Sequence, residues 1–401
     1  MSDTTQHLKN IRHIKICYSK NTYCGHPRQS GIFNFGNGEI AVMHAHAHST
    51  YMTQNDVSHS FTTGYSSRAR ILLQRSVDHG ESWPSEHKVT VWDESRSTEE
   101  KREILYKTDS LETPREYIDL NNKNSTIFFA RPVTGEKVSD RIDPLECFSF
   151  RSEDKGKNWE TVPTRISPPY GMDLIHFDGG PLAKFSDGTH GIVGTASTAS
   201  FPRIQALKFY ATDDNGLSWN YISEIDRDPT GQGVSTYGTL LLLPNGRLQC
   251  YMINLEGFRN CIQMNYSDDG GYSWSNPTPV VKWGKSPWLK LTRDHVWSGA
   301  RKNFHRLYRS PWPIQLKDGR IVILYGRRKP PYGIGLILSE DQGLSWSDEV
   351  VLRADGSNWD LGYPVATELD DGRIFTAYYY MQEDGNGFGG TRYIAGSFFQ
   401  L

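Results

Sequence analysis

The stretch Ser267-Asp-Asp-Gly-Gly-Tyr-Ser-Trp274 follows the pattern S-x-D-x-G-x-x-W, and the chain repeats this pattern along its 401 residues. Four further copies occupy residues 76–83, 152–159, 212–219 (with Thr for Ser) and 339–346. In each copy the Asp can accept hydrogen bonds from backbone N–H groups across a turn, and the Gly can adopt a conformation that other residues avoid. We therefore interpret these boxes as structural turns whose Trp packs between neighbouring sheets.

A second repeat consists of two apolar runs joined by an Asx-Gly turn, which is the strongest short-range signal for a β-hairpin. The segment Ile314-Gln-Leu-Lys-Asp-Gly-Arg-Ile-Val-Ile-Leu324 shows it well. The turns are Asn37-Gly38, Asp187-Gly188, Asn245-Gly246, Asp318-Gly319 and Asp371-Gly372, with a degenerate copy at Asn124-Ser125. Six hairpins and five boxes indicate six repeated units around one axis.

These repeats predict an all-β fold, a six-bladed β-propeller with four-stranded antiparallel blades and Asp-box hairpins, forming a single domain over residues 1–401. The last unit has no box. We expect its outer strand to come from His13-Ile-Lys-Ile-Cys-Tyr18, which would close the ring and leave no free sheet edge. A short helix is expected from Thr98 to Arg102.

Composition excludes some partners. The chain has 44 Lys plus Arg and 46 Asp plus Glu, for a net charge of −2, so we expect neither nucleic acid nor a membrane surface as a partner. Its five cysteines, Cys17, Cys24, Cys147, Cys250 and Cys261, show no CxxC spacing and are expected to be free thiols. The polar N-terminus suggests a cytoplasmic protein, although a secreted chain with its signal peptide removed would look the same.

Asp boxes on Asx-Gly hairpins resemble the sialidase (neuraminidase) superfamily of BNR/Asp-box propellers. That superfamily includes exo-sialidases, other exo-glycosidases, some polysaccharide lyases and non-catalytic sugar binders, so the resemblance is more specific for the fold than for the chemistry. In such propellers the active site lies at the end of the axis where the innermost strands begin. The resemblance therefore implies a carbohydrate partner and indicates where to look for its site.

Counting from the turns identifies that end. Nine residues before the turn Asx stand, in chain order, Arg28, Arg115, Asp178, Thr236, Arg309 and Gly362. Three arginines at one equivalent position resemble the sialidase arginine triad that holds a carboxylate, and the planar guanidinium suits bidentate pairing with that group. We predict that Arg28, Arg115 and Arg309, together with Asp178, bind an acidic sugar.

The second strand of each hairpin returns to the same end, where Arg327 and Arg328 add to the predicted substrate-binding residues. The run Met43-His-Ala-His-Ala-His48 places His44, His46 and His48 on one face of its strand. Three His side chains can bind Zn²⁺, but ligands at positions i, i+2 and i+4 of one straight strand diverge. We therefore predict a histidine row that faces either solvent or the substrate, and no metal or cofactor.

By the same resemblance, a retaining sialidase uses a Tyr nucleophile activated by Glu, with an Asp as acid/base. Tyr363, at the start of the last inner strand, is the candidate nucleophile; Glu116 is the candidate base and Asp56 the candidate acid/base. The chain departs from the family pattern in three places, one of which is the histidine row, because that row has no counterpart in the sialidase pattern. Its opening reads His26-Pro-Arg-Gln29 instead of Phe-Arg-Ile-Pro, and the fourth unit has Tyr237 in a stretch without an acidic residue.

Three functions remain open. We favour a sialidase-like exo-glycoside hydrolase that acts on an acidic sugar of an oligo- or polysaccharide. A polysaccharide lyase could instead perform β-elimination on uronic acids, with His44 or His46 and Tyr237 transferring protons. A non-catalytic sugar-binding propeller would use aromatic residues for stacking, but it seldom needs so many ionisable groups on one rim. The loops 50–68 and 283–306 are predicted to fold over the pocket and set specificity.

Overall fold

The computed structural model describes residues 8–27, 31–60, 63–109, 115–133, 146–177, 180–199, 204–227, 235–254, 261–281 and 308–401. Within these residues the strands form six antiparallel sheets, each mostly built from consecutive strands. The sheets are the blades of a propeller, which confirms the predicted six-bladed all-β fold.

The first three blades follow one another along the chain. The first contains β2 (Thr22–Gly25), β3 (Ile32–Gly36), β4 (Glu39–His48), β5 (Arg70–Ser76) and β6 (Lys88–Asp93). The second contains β7 (Thr126–Ala130), β8 (Cys147–Ser152) and β9 (Thr164–Ile166). The third contains β10 (Leu174–Phe177), β11 (Ala183–Lys184), β12 (His190–Ser197), β13 (Gln205–Thr212) and β14 (Asn220–Arg227).

The remaining blades each have four strands. The fourth contains β15 (Ser235–Leu242), β16 (Leu248–Asn254), β17 (Cys261–Ser267) and β18 (Thr278–Val281). The fifth contains β19 (Tyr308–Gln315), β20 (Ile321–Arg327), β21 (Tyr332–Ser339) and β22 (Val350–Gly356). The sixth contains β23 (Gly362–Glu368), β24 (Ile374–Gln382), β25 (Thr391–Gln400) and, from the start of the chain, β1 (Lys9–Cys17).

The strand β1 closes the ring, as the sequence predicts. It pairs antiparallel with β25, so that Lys9 lies opposite Gln400 and Ile14 opposite Gly396. Gln74 on β5 of the first blade donates a side-chain hydrogen bond to the Ile16 carbonyl. The last blade thus contains strands from both ends of the described chain. Its outer strand, β1, also contacts the first blade.

The Asp boxes are turns, and their tryptophans pack on the preceding blade. In the fourth blade Asp269 accepts hydrogen bonds from the Ser267 hydroxyl at 2.7 Å and the Ser273 backbone N–H at 2.9 Å. Together with the bond from the Ser273 hydroxyl, which contributes most, they lower the pKa of Asp269 to about 2. Trp274 meets Phe209 of the third blade edge to face, with 5.8 Å between ring centroids. The boxes therefore join adjacent blades, which confirms their structural role.

The second blade departs from the prediction. Its described residues form three strands, and residues 115–125 do not form the inner strand expected before Asn124. The chain turns there instead, because the backbone N–H of Asn122 donates to the Asp119 carbonyl and that of Ser125 to the Asn122 carbonyl. Counting back from the degenerate Asn124-Ser125 turn therefore does not reach the axial end of the fold.

Outside the blades the described chain contains one α-helix, α1 (Thr98–Leu105), close to the predicted position. Ser97 accepts a hydrogen bond from the Glu100 N–H, and the Glu100 carboxylate caps Ser97 in return. Short 3-10 helices occur at Gln54–Asp56, Tyr65–Arg68, Ser85–His87 and Tyr106–Asp109. Among the described residues, none of these helices has the length and apolar character required to span a membrane.

Candidate functional site

Three inner strands begin with the same distortion. Tyr237, Ser310 and Tyr363 have positive φ angles of 58°, 54° and 54°, and the pairing register of β15, β19 and β23 shifts around them. Such a conformation costs a residue other than Gly roughly 1–3 kcal/mol, so the surrounding structure must hold it. Where a bulge repeats at one end of neighbouring strands, it re-aims the side chains that a regular strand would direct elsewhere.

The bulges bring two tyrosines together. The Tyr363 hydroxyl donates a 2.8 Å hydrogen bond to the Tyr237 hydroxyl, and the two rings meet edge to face. Tyr363 is almost fully buried and Tyr237 is half-buried. Among the described residues, a pair of Tyr hydroxyls is thus at the centre of this part of the molecule.

Two glycines set the distance between the fifth and sixth blades at this point. A Cβ on Gly326 would lie 2.9 Å from the Gly362 Cα, and a Cβ on Gly362 would lie 2.8 Å from the Gly326 Cα. Gly362 also has a φ of +111°, which side chains disfavour. Glycine is required at both positions because the two backbones touch directly beside Tyr363.

Next to the tyrosines is a cavity of about 490 Å³, a size that suits a small ligand such as a sugar. Its charged wall consists of Arg309, Arg328, Arg392 and Asp360, and His59 stands beside them. Apolar surface comes from aromatic side chains and one aliphatic residue, namely Trp359, Phe388, Tyr363 and Val57. The described lining therefore carries more positive than negative formal charge.

Arg309 lies against the tyrosine pair. Its guanidinium carbon is 4.7 Å from the Tyr237 ring centroid and 5.7 Å from the Tyr363 ring centroid, and one of its nitrogens donates to the Tyr237 hydroxyl at 3.5 Å. A guanidinium in this position stabilises negative charge on either phenolic oxygen.

Arg328 forms the adjoining wall. It donates to the Leu361 carbonyl at 2.9 Å and to the Tyr379 hydroxyl at 2.7 Å, which fixes the plane of its guanidinium. The guanidinium carbon lies 5.3 Å from the Trp359 ring and 5.6 Å from the Tyr363 ring. Both cationic groups thus touch Tyr363.

The buried carboxylate of Asp360 is held by several donors. Arg392 donates to it at 3.1 Å and the Tyr379 hydroxyl at 2.8 Å, and His59 Nε2 lies 3.5 Å away. Burial alone would raise the pKa of Asp360, but His59, Arg392 and Arg328 outweigh it and hold this pKa well below the usual range. Asp360 is therefore ionised at neutral pH and forms a buried ion pair with Arg392.

His26 packs against the Tyr363 ring. Its ring meets Tyr363 edge to face at 4.7 Å and His59 at 4.6 Å, and the Tyr65 hydroxyl contacts its Nδ1. Burial first, and then the nearby His59 and Arg328, place the pKa of His26 well below its ordinary value, although Asp360 opposes this shift. His26 is consequently a neutral imidazole over the physiological pH range.

Comparison with known proteins assigns the family. Residues 127–376 match the family described as a BNR repeat-like domain. The chain belongs to this family. No curated protein sequence matches this BNR repeat-like chain.

Solved structures with the same fold include proteins named as sialidases. A Dyadobacter fermentans protein of unknown function has a TM-score of 0.69 at 19% identity, with 98% of this chain and 100% of that chain covered. The Hadza microbial sialidase Hz136 has a TM-score of 0.56 at 13% identity, covering 94% of this chain and 65% of its own. Trypanosoma rangeli sialidase has a TM-score of 0.59 at 12% identity, covering 97% and 59%. The BNR repeat-like chain thus spans less than two thirds of either sialidase, and at such identities the likeness shows the fold alone.

Four of the residues predicted for the site in the BNR repeat-like chain meet in the structure. One contiguous group contains Tyr363, Tyr237, Arg309 and Arg328. All but Tyr237 line the cavity, and Tyr237 contacts both Tyr363 and Arg309. Their predicted roles stay predictions, because geometry alone does not test them.

Asp56 lies near the cavity but is occupied by other contacts. It accepts hydrogen bonds from the Thr53 N–H at 3.0 Å and the Thr50 hydroxyl at 2.9 Å, and Arg68 lies 3.3 Å away. Burial favours the protonated form, yet hydrogen bonds from Thr53, Thr50 and Met52 leave the pKa of Asp56 below its ordinary value. A carboxylate held in this way is a poor proton donor, so the structure favours a loop-bracing role.

Arg115 and Glu116 are not brought to this group. Arg115 donates to the Thr164 hydroxyl at 2.8 Å and lies 3.6 Å from the Glu160 carboxylate. The Glu116 carbonyl accepts from Arg151, which also donates to the Asn215 carbonyl in the Asp box of the third blade. The Asp boxes lie at the same end of the blades as the Asx-Gly turns, opposite the end where the inner strands begin. Arg115 and Glu116 therefore lie near the end with the Asp boxes and not, as expected, at the axial rim.

Other predicted residues also face elsewhere. Arg327 donates to Glu349 at 3.1 Å within the fifth blade, whereas its neighbour Arg328 faces the cavity. His44 and His46 share one face of β4, as predicted, but that face is turned toward Cys17 of β1 and not toward the cavity. The alternating side chain Ala45 lies on the opposite face beside His26.

Some predictions concern residues that the structure does not describe. Arg28 and Asp178 lie outside the described residues, as does most of the loop 283–306. The loop 50–68 is described except for residues 61 and 62, and Gln54, Val57, Ser58 and His59 from it line the cavity. Its predicted position over the pocket is therefore confirmed, and its effect on specificity stays a prediction.

Sequence reasoning missed Arg392, Asp360, His59 and His26. Arg392 begins the third strand of its blade, and that strand starts at the same end as the first, so extending the count to third strands would have found it. Asp360 precedes Tyr363 by three residues in a loop, and a search for acidic residues just before inner strands would have identified it. His59 lies in a loop with no repeat to count from.

Proposed function

We propose that the protein is an exo-acting glycoside hydrolase for a sugar that bears a carboxylate, with Tyr363 as the nucleophile. The observation that carries the proposal is the Tyr363 hydroxyl, which donates to Tyr237 between two guanidinium groups in one sugar-sized cavity.

The charge of the wall supports an anionic substrate. Three arginines line the cavity, while the carboxylate of its described lining, Asp360, is paired with one of them, Arg392. Arg309 and Arg328 therefore leave the cavity positive, and their planar guanidinium groups suit a carboxylate. An anionic sugar would also be repelled by a carboxylate nucleophile, which favours a neutral tyrosine.

In the proposed reaction Tyr237 acts as its phenolate. The Tyr363 oxygen bonds to the anomeric carbon while the bond to the leaving oxygen breaks, and the Tyr363 proton passes to the Tyr237 phenolate. Arg309 stabilises the negative charge of this phenolate, because its guanidinium contacts Tyr237 and lies over both rings. Tyr237 thereby takes the place of the glutamate that activates the tyrosine in a retaining sialidase.

The leaving oxygen needs a proton, and His59 is the candidate donor. Its ring stands at the cavity surface with 39% of the side chain exposed, and Asp360 orients its Nε2 side. In the second half of the reaction the same imidazole would take a proton from the water that releases the sugar from Tyr363. This role replaces the one predicted for Asp56.

The fold neighbours suggest a first substrate. Trypanosoma rangeli sialidase, with the same fold, is known in complex with sialic acid. Sialosides therefore head the substrate panel, followed by uronate-terminated oligosaccharides and uronate-containing polysaccharides.

The test is a product analysis by mass spectrometry on that panel. A product that has gained one water supports hydrolysis. The Tyr363→Phe variant should then lose roughly 10³-fold or more in kcat, because the nucleophilic oxygen is removed. Tyr221→Phe makes the same chemical change at an exposed tyrosine outside the cavity and should retain wild-type activity. Full activity in Tyr363→Phe would rule out the assigned nucleophile.

A lyase is the second candidate, because two tyrosine hydroxyls and two histidines, all of which can transfer protons, meet at one place in the described structure. In β-elimination Arg309 or Arg328 would neutralise the uronate carboxylate, and His59 or Tyr363 would move the protons. An unsaturated product without added water, detected by its ultraviolet absorbance, would establish this reaction instead.

A further inference from the structure

A second cluster of ionisable side chains lies where the last blade meets the first. Cys17 comes from β1, Cys24 from β2 and His46 from β4, and their ligand atoms all lie within 4.8 Å of one another. Cys17 and Cys24 are buried free thiols, and His46 is partly buried. None of the three residues lines the cavity described above.

The fold imposes this juxtaposition. Cys24 and His46 are direct cross-strand partners of β2 and β4, so their side chains stand side by side on one face. Cys17 reaches the same face from the strand that closes the ring, and its sulfur lies 3.6 Å from that of Cys24. Two thiolates on a tetrahedral zinc ion, with Zn–S bonds of ~2.3 Å, are separated by about 3.8 Å.

We propose that Cys17, Cys24 and His46 bind a zinc ion at this seam. Two thiolates and an imidazole form a ligand set that suits Zn²⁺, whereas oxygen-preferring Mg²⁺ and Ca²⁺ would not choose it. A disulfide would bring the sulfurs to ~2.05 Å, well below the observed separation.

His44 lies beside these ligands, and a movement of its side chain is needed to fill the fourth position, because it is not among the residues whose ligand atoms lie within 4.8 Å of one another. Its Nδ1 must donate to the Ala45 carbonyl, which lies 3.1 Å away and can only accept, so a neutral ring carries its lone pair on Nε2. That Nε2 is fully buried and has no hydrogen-bond partner among the described residues. A backbone carbonyl that fixes the tautomer of a histidine is a common outer contact at zinc sites.

The surrounding charge is compatible with a dithiolate site. The Lys88 ammonium lies 3.7 Å from the Cys17 sulfur, and Arg70 is the direct cross-strand partner of His46. Two thiolates neutralise a divalent ion, so Lys88 can remain as a hydrogen-bond donor to sulfur. Bound zinc would link the last blade to the first, and its effect is therefore on stability and not on the cavity.

The experiment uses the full chain, reduced and stripped of metal. Zinc titrated against a chromophoric chelator should bind one ion per chain, and Co²⁺ should give the thiolate-to-cobalt charge-transfer band and strong visible bands of a tetrahedral site. Zinc should also raise the thermal unfolding midpoint. The variants Cys17→Ser, Cys24→Ser and His46→Ala should each weaken binding by more than the roughly 10–100-fold typical of an outer contact.

Cys147→Ser is the matched control and should bind zinc as the wild type does. Cys147 is a buried thiol that donates to the Ala130 carbonyl, and a serine hydroxyl can keep that bond. The cobalt spectrum of the wild type needs no variant, so a misfolded mutant leaves the test intact. A missing charge-transfer band, or equal affinity in all variants, would overturn the proposal. So would a peptide linking Cys17 and Cys24 with the mass of a disulfide.

Discussion

At the scale of single residues, the centre of the site is a pair of tyrosines held by backbone distortion. Tyr363 and Tyr237 both occupy positive-φ positions, and their hydroxyls meet at 2.8 Å. In the proposed reaction the Tyr237 oxygen takes the place of the glutamate expected from the sialidase pattern, and the Arg309 guanidinium that donates to it stabilises its negative charge. Three arginines and one carboxylate leave the described lining of the cavity positive.

His26 should make stability depend on pH. Its pKa is lower in the folded than in the unfolded protein, so between that lowered value and about 6.5 the unfolded chain binds a proton that the folded chain does not. The free energy of unfolding should therefore fall as pH drops through this window, by up to about 1.4 kcal/mol per pH unit. Urea unfolding at a series of pH values should show a smaller slope for His26→Gln. An identical slope would contradict the prediction.

Part of the site could be predicted from the sequence. Arg309, Arg328 and Tyr363 were found because their blades carry clear Asx-Gly turns, from which a fixed count reaches the axial end. Arg115 was misplaced because the turn at Asn124-Ser125 is degenerate and the chain bends before it. Arg392 was missed because the count was not extended to third strands, whereas the position of His59 depends on how its loop meets the blades, and no local repeat encodes that.

At the scale of elements, the Asp box explains why two adjacent glycines differ in the space around them. Gly270 and Gly271 in the fourth blade both have positive φ angles, +75° and +95°. A Cβ at Gly270 would meet nothing within 4 Å, whereas one at Gly271 would lie 2.3 Å from the Phe209 ring of the preceding blade. The box glycine thus serves two purposes, the turn and the close contact between blades.

This difference can be measured. Gly270→Ala should lower the free energy of unfolding by about 1–2 kcal/mol, since only the backbone conformation is disfavoured. Gly271→Ala should cost a further 1–3 kcal/mol or so, because the Phe209 ring must also move. Urea denaturation of the two variants separates the two contributions. Equal losses in the free energy of unfolding would show that the contact with Phe209 adds no cost at Gly271.

At the scale of the whole molecule, the ring is held closed by β1. Its pattern of burial changes along the strand, from exposed Ile11 at 43% to buried Ile16 at 6%. The repeats predicted this closure because a propeller with one strand missing from its last blade leaves an unpaired edge. The sequence could not show that the described residues of the second blade form three strands, since the hydrophobic pattern of residues 117–129 resembles a hairpin.

Closure can be tested with two substitutions in one strand. Ile16→Asp would bury an unpaired charge and should destabilise the protein by about 3–5 kcal/mol. Ile11→Asp places the same charge in solvent and should change stability by no more than about 0.5 kcal/mol. Thermal unfolding monitored by circular dichroism distinguishes them, and similar midpoints for both variants would mean that β1 contributes little to the closed ring.

The pairing of β1 with β25 also has a consequence for synthesis. Lys9 meets Gln400, so β1 leaves the ribosome long before its partner β25 appears. At about 5–20 residues per second, that delay is roughly 20–75 s. Throughout it, a strand edge carrying three isoleucines stays unprotected, and the nearly finished propeller displays the matching open edge. Cells that make this protein must keep two such edges on neighbouring nascent chains apart.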